Sequence, residues 1–236
     1  FMSFHKPAPL PEAGILIDVV EVRATLFGGV RRTPLRRAIL RSSDADRAWR
    51  EEVRVGIPRA LNLYSTAPMW RTFFETLGVD RENVVFSNAT TQEMWAEGGK
   101  YGSIDPCYPS KVSQAHIHHL LFHEHKARPL HYLFFPCVTH LPTFVSGVME
   151  STSCPVAAGS PKVVRAAFTK DVDFFARAGV EYVDPAVTLT EPDYFKKQMF
   201  ESWGGRLRVT RDECDFACDE GFEALLRFDE EVQRKG

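Results

Sequence analysis

From residue 53 onward, short apolar runs alternate with longer stretches in which apolar residues recur every three or four positions. VRVGIP (53–58), VVFS (84–87), HYLFFP (131–136), PVAAG (155–159) and VEYVDP (180–185) read as short buried strands. Between them the period is helical. Pro68 starts a helix carrying Trp70, Phe73, Phe74 and Leu77 on one side, and Gly78 stops it. Thr90-x-x-Glu93 is a capping box that opens a short helix closed by Gly98-Gly99. Pro109 begins a helix reaching about His125, and Ser160-Pro161 caps and starts another through Phe168. Asp193 to Trp203 reads as helical, and Thr210-x-x-Glu213 opens a long final helix. Strands alternating with helices in this rhythm predict βαβ units, hence an α/β domain over 53–236: Rossmann-like, three-layered, with a mostly parallel sheet.

Residues 1–52 do not share the rhythm and read as an N-terminal arm or linker. Pro7, Pro9 and Pro11 begin it, GILIDVVEV (14–22) adds an edge strand, and Arg31, Arg32, Arg36, Arg37 and Arg41 fall on a helix with a solvated face. The chain opens on Phe1-Met2, which suggests a piece of a longer protein.

Composition narrows the function class. A 44% hydrophobic and 25% charged content is that of a soluble globular chain, and a net charge of −2 argues against a nucleic-acid-tracking surface. No run approaches the roughly 18 apolar residues of a membrane helix, and no export signal is visible, so the expected location is the cytoplasm. With five cysteines, an odd number, a disulfide framework is disfavoured. Neither GxGxxG nor a Walker loop is present, which leaves dinucleotides and P-loop nucleotides unsupported.

Three of the cysteines touch proline in sequence: Cys107 in DPCYPSK, Cys137 in FFPCVTH and Cys154 in STSCPVAA. Proline stiffens the chain and removes a donor, which suits ligands held in advance. Cys137 follows a strand and Cys107 precedes a helix start, so both belong at the carboxyl edge of the sheet, where open α/β folds bind ligands. Cys154, placed before a strand, must be folded back by the loop 138–153 to join them. Three such sulfurs admit an iron–sulfur cluster, a zinc site completed by a histidine, or three unrelated buried cysteines. No CxxC pair announces zinc. Cys214 and Cys218 share an apolar stripe with Phe222 and Leu225 on the last helix and read as core. His116, His118, His119, His123 and His125 crowd one helix, where His119 and His123 at i, i+4 can bind zinc; without HExxH the stretch reads instead as a solvated amphipathic helix. Arg59, Asn62 and Tyr64 follow the first strand and can line the same edge.

GIPRALNLY (56–64), PMWRTFFETLG (68–78), CYPSK (107–111) with His116, FFPC (134–137) and CPVAAGSP (154–161) together resemble the domain of uncharacterised function in CoA-substrate-specific enzyme activases. These proteins are similar to components of the 2-hydroxyacyl-CoA dehydratase system. The resemblance covers roughly 53–190, more weakly to the end. It implies an oxygen-sensitive [4Fe-4S] cluster with Cys107, Cys137 and Cys154 as ligands and His116 at a family position nearby. It also implies anaerobic electron transfer to a CoA-ester-related redox partner. A cluster at an open sheet edge needs cover, which the N-terminal arm of residues 1–52, a missing second lobe or a second copy of the chain is expected to supply. The ATP-binding modules of the large activases are not visible, so neither ATP hydrolysis nor complete catalytic machinery is assigned. A metal-free α/β module for interaction or small-ligand binding is the alternative.

Overall fold

The structure, a computed structural model, describes residues 5–24, 30–102, 107–143, 147–148 and 151–235. β1 (Leu16–Ala24) and β2 (Val30–Ala38) pair as an antiparallel hairpin, followed by α1 (Asp44–Glu52). The arginine run of 31–37 therefore lies on a strand, not on the expected helix. Both hairpin faces are largely exposed, so long charged side chains are tolerated on either, and Asp18 sits opposite Arg36 across the pair. GILIDVVEV does form a strand, but β2 is its partner.

The chain then enters the layered domain with β3 (Val55–Ile57), α2 (Leu63–Thr76) and β4 (Val84–Phe86). α3 (Gln92–Gly98) leads through a 3₁₀ turn, Gly99–Tyr101, towards α4 (Tyr108–His119). α4 runs on through a π-helical turn, Leu120–Glu124, into the short α5 (His125–Ala127). β5 (Tyr132–Phe134), β6 (Cys137–Leu141), β7 (Ser151–Thr152) and α6 (Pro155–Thr169) follow. The last elements are α7 (Phe174–Ala178), β8 (Glu181–Val183), β9 (Ala186–Thr188), α8 (Pro192–Trp203) and α9 (Arg211–Lys235).

Four parallel strands stand in the order β4-β3-β5-β8, with β3 buried along its whole length. α2, α8 and α9 pack together as one helical layer, and α3, α4 and α6 as the other, which gives the expected three-layer Rossmann-like α/β architecture. The α2 layer is sealed by interlocked rings: Phe74 meets Trp203 at 4.8 Å and Trp70 meets Phe134 at 5.2 Å, both edge to face. Cys214 and Cys218 are fully buried there, as their spacing predicts. Gly78, at φ +98°, stops α2 in a conformation that a side chain would strain.

Beyond the carboxyl edge the β5–β8 pair continues as β6 and β9, joined by Phe135 N–H to Val183 O (2.9 Å) and Cys137 N–H to Pro185 O (2.8 Å). Pro185 has no N–H to return to the Phe135 carbonyl, so the ladder skips one rung. β7 adds an antiparallel strand to β6.

Three local expectations fail. Thr91, not Thr90, is the N-cap of α3 and accepts from Met94 N–H at 3.2 Å. PVAAG is the first turn of α6, not a strand, and Ser160-Pro161 lies inside that helix. A short apolar run does not reveal its period; Pro155 at the first helical position and two alanines settle it as helix. The α2 start also precedes Pro68, at Leu63.

Residues 5–52 attach along α9 and at the amino edge of the sheet. Arg50 and Glu213, both with fully buried side chains, stand 3.8 Å apart. Arg50 donates to Leu77 O at the end of α2 (2.6 Å) and to Leu207 O (3.2 Å). Glu213 accepts from Arg41 (2.9 Å), Ser42 and Thr210 N–H (3.0 Å), the last being half of the capping box foreseen at 210–213. Arg37 grips Asp212 with two bonds of 2.6 and 2.8 Å. His5 reaches Glu220 at 2.7 Å. No helix among the described residues is long and apolar enough to cross a membrane.

Candidate functional site at the carboxyl edge

The chain leaves β3 towards β4 on one side and returns to β5 on the other, so the order reverses between β3 and β5, and the carboxyl edge at such a switch point is where open α/β folds have their ligand crevice. Arg59, in the loop after β3, donates its backbone N–H to Ser87 Oγ at 2.7 Å, and its guanidinium lies 5.6 Å from the ring centre of the half-exposed Tyr64. Leu61 holds φ +51° there, a conformation that costs a side-chain-bearing residue about 1–2 kcal/mol. Asn62 donates from Nδ2 to Ser153 Oγ at 3.0 Å, tying this loop to the residue before Cys154.

Cys107 and Cys154 occupy equivalent positions: each is the N-cap of a helix that begins with proline in its first turn, and neither side chain makes a capping hydrogen bond. α4 and α6 lie side by side, and Ser110 in the first turn of α4 meets Ser160 of α6 through a 2.8 Å hydroxyl contact. Both helices start at the carboxyl edge, so two positive dipole ends face the same side of the sheet. Cys154 is thus carried to the edge by its own helix. The segment before it does fold back, as the antiparallel β6–β7 pair closed by Ser153 N–H to Thr139 O at 2.8 Å, but into a helix start and not into a strand. Cys154 is exposed and Cys107 partly so.

Cys137 sits deeper. Its thiol is buried at the start of β6, 3.9 Å from Asp184 O and beside the backbone of Lys162. Burial pushes this thiol above its ordinary pKa, and the Lys162 charge offsets only part of that. Lys162 lies eight residues along α6 from Cys154, about 12 Å of helix rise. Asp184 in turn pairs with Lys162 (3.0 Å) and with Arg165. Among the described residues the three sulfurs do not close to the spacing of one ion's ligands.

His116 is fully buried between the layers, and both ring nitrogens are engaged: Nδ1 with Ser87 Oγ at 2.8 Å and Nε2 with Thr90 Oγ1 at 3.0 Å. Burial drives its pKa down to about 4, so it is neutral. It locks α4 to the loop after β4. The helix is amphipathic as expected, with Ala115, Ile117, Leu120 and Leu121 buried, but His116 and His118 are buried with them and do not lie on its solvated side. Thr90 and Ser160 were read in the sequence only as helix caps, and Ser87 and Ser110 carried no signal of their own; single hydroxyls in loops and helices are too common to single out.

The carboxyl edge therefore offers two uncapped cysteines at neighbouring helix starts, a third cysteine below them, and a polar loop tied to one of the caps. No curated protein and no solved structure matches the chain. Residues 54–236 do match one described family, over a longer stretch than the resemblance quoted above. Of the blocks that carry that resemblance, 56–64, 107–111, 134–137 and 154–161 build this edge and 68–78 forms most of α2, and the chain belongs to the family of the CoA enzyme activase uncharacterised domain.

Proposed function

We propose that this domain holds a [4Fe-4S] cluster at its carboxyl edge and serves a CoA-enzyme activase system as an electron-storing or electron-passing component. The observation that carries the reading is the pair of cysteine N-caps, Cys107 and Cys154, on adjacent helices with no capping bond of their own. Their sulfurs stand beside backbone N–H groups that have no helical partner, an arrangement that complements an anionic cluster. When bound, such a cluster supplies one-electron storage and delivery. Cys137 completes the set only if it surrenders the proton that burial now favours and if the first turns of α6 draw towards it; metal binding releases that proton. Arg59, Asn62 and Tyr64 form the crevice wall next to the ligands, and His116 fixes the helix that carries Cys107. The electron acceptor on this reading is a CoA-ester-related redox partner, and a second lobe or second copy of the chain shields the open edge.

The buried, protonated Cys137 also favours a second reading, a metal-free α/β module that binds a small ligand or a partner in the same crevice. Anaerobic purification followed by iron and acid-labile sulfide analysis separates the two. About four irons and four sulfides per chain, lost in Cys107→Ser and Cys154→Ser but kept in Cys218→Ser, support the cluster. A colourless, iron-free protein after anaerobic reconstitution overturns it.

A further inference from the structure

α4 does not stay α-helical. In an α-helix, residues five apart point about 140° away from one another. The π-helical turn Leu120–Glu124 adds a residue per turn and swings His123 round to the side of His118. α3 is pressed against the same stretch: a Cβ at Gly98 would lie 2.5 Å from Ala115 Cα, so the two backbones touch and Glu97 is brought over the histidines. Its Oε2 lies 2.8 Å from His123 Nε2. His118 is only 8% exposed, its ring packed at 4.7 Å on Tyr101 and 4.6 Å on Phe122. No hydrogen bond to its ring nitrogens is found among the described residues, and one of those nitrogens points into the group. One ligand atom from each of Glu97, His118 and His123 lies within 4.8 Å of the others.

We infer that Glu97, His118 and His123 form a binding site for a divalent first-row cation of the zinc class, separate from the cysteine edge. Two imidazoles and a carboxylate are the donor set of zinc sites that keep a further position open to water or an incoming group. Glu97 and His123 are about half exposed, so the open position faces solvent, while His118 anchors the site from the buried side. A salt bridge alone needs only Glu97 and His123; it gives no reason for a buried imidazole turned towards them, or for a helical turn that costs regular hydrogen bonding to align the two histidines. Along α4 the site lies eleven residues from Cys107, about 16 Å, so the two centres do not share ligands.

The test uses the full chain and Co(II) as the probe, with Zn(II) as competitor. Cobalt bound to thiolate shows intense near-ultraviolet charge transfer, whereas cobalt on histidine and carboxylate does not. One equivalent of Co(II) bound without that absorption, displaced by Zn(II) and unaffected by Cys107→Ser, is the expected result. His123→Ala and Glu97→Gln alter half-exposed side chains and leave the fold intact by circular dichroism, and each should weaken binding by at least about tenfold, a loss that even a ligand's supporting partner commonly costs. Equal affinity in both variants, a thiolate spectrum at the first equivalent, or no binding to the unaltered chain would overturn the site. The iron content of the anaerobic protein does not bear on any of these outcomes, so this site and the cluster stand or fall separately.

Discussion

The two ends of the parallel sheet are built on opposite principles. At the amino edge, buried charge is matched to buried charge: Arg50 serves three carbonyls, those of Leu77, Leu207 and Arg208, and faces Glu213, which itself collects donors from Arg41, Ser42 and Thr210. At the carboxyl edge, α4 and α6 start on cysteines that cap nothing, and the loop between β3 and α2 holds a strained leucine. A helix start capped by Ser, Thr, Asp or Asn is typically more stable by about 1 kcal/mol, so two cysteine caps forgo stability where it was easily had. The comparison teaches that the fold is secured at one end and held ready for a ligand at the other.

The contrast breaks first at Arg50. Replacing it with Met strips a partner from Glu213 and from two buried carbonyls, and should cost about 3–5 kcal/mol in urea unfolding. A loss under about 1 kcal/mol would mean the amino edge is not the stabilising end. Next comes a pair of cysteine variants. Cys214→Ser buries a hydroxyl in the core and should cost about 1–3 kcal/mol without changing iron content, whereas the exposed Cys154→Ser should shift stability by less than about 0.5 kcal/mol and strip iron. Reversed effects would exchange the roles assigned to the two ends. Asn62→Ala removes the bond to Ser153 and should cost about 1 kcal/mol, with faster cluster loss in air than the parent chain; an unchanged loss rate would show that the β3 loop does not steady Cys154.

The smallest effect is one of pH. The Arg37 hydrogen bond holds the Asp212 carboxyl below the usual carboxylate range; for Glu213, burial pushes upward, but the donors around it win and its pKa is also lowered. Both groups titrate below their unfolded values. Their stabilising contribution is therefore complete above the unfolded carboxylate range, near pH 4, and is lost as pH falls through the folded values. Thermal midpoints measured from pH 7 downward should stay level with respect to these groups until about pH 4 and then drop, and Arg37→Ala should soften the drop. An Arg37→Ala profile that superimposes on the parent would remove Asp212 from the account.

How much of this was visible beforehand depends on whether a pattern was local. β3 and β5 announce themselves because both faces of a central parallel strand are covered, which leaves continuous apolar runs, and the edge strands β4 and β8 keep short apolar runs of their own. The 210–213 capping box and the buried stripe of Cys214 and Cys218 were equally legible, since each is complete within a few residues. The hairpin was not: Arg31 to Arg37 on an exposed two-stranded ribbon has no apolar face to show a period of two. Cys154 was placed before a strand because PVAAG has no period to read, and correcting that one element moves its sulfur to a helix start at the edge. The meeting of His118 and His123 was the least accessible. It depends on a π turn that no residue spacing advertises and on a helix, α3, contributed from elsewhere in the chain.

The rung missing at Pro185 has a consequence for how the molecule breathes. Below it, β5 and β8 belong to a four-stranded sheet sealed by rings on one face; above it, β6, β7 and β9 form a narrow ribbon whose outermost residues are exposed. A cooperative unit of structure is bounded where its cross-links thin out. Amide protons of Leu133 and Phe134 should therefore exchange with deuterium only when the whole domain opens, while those of Val138 and His140 exchange through a smaller opening of the ribbon alone. Cys137 stands at that boundary, one residue above the interruption, and its thiol gains access to solvent whenever the upper unit opens.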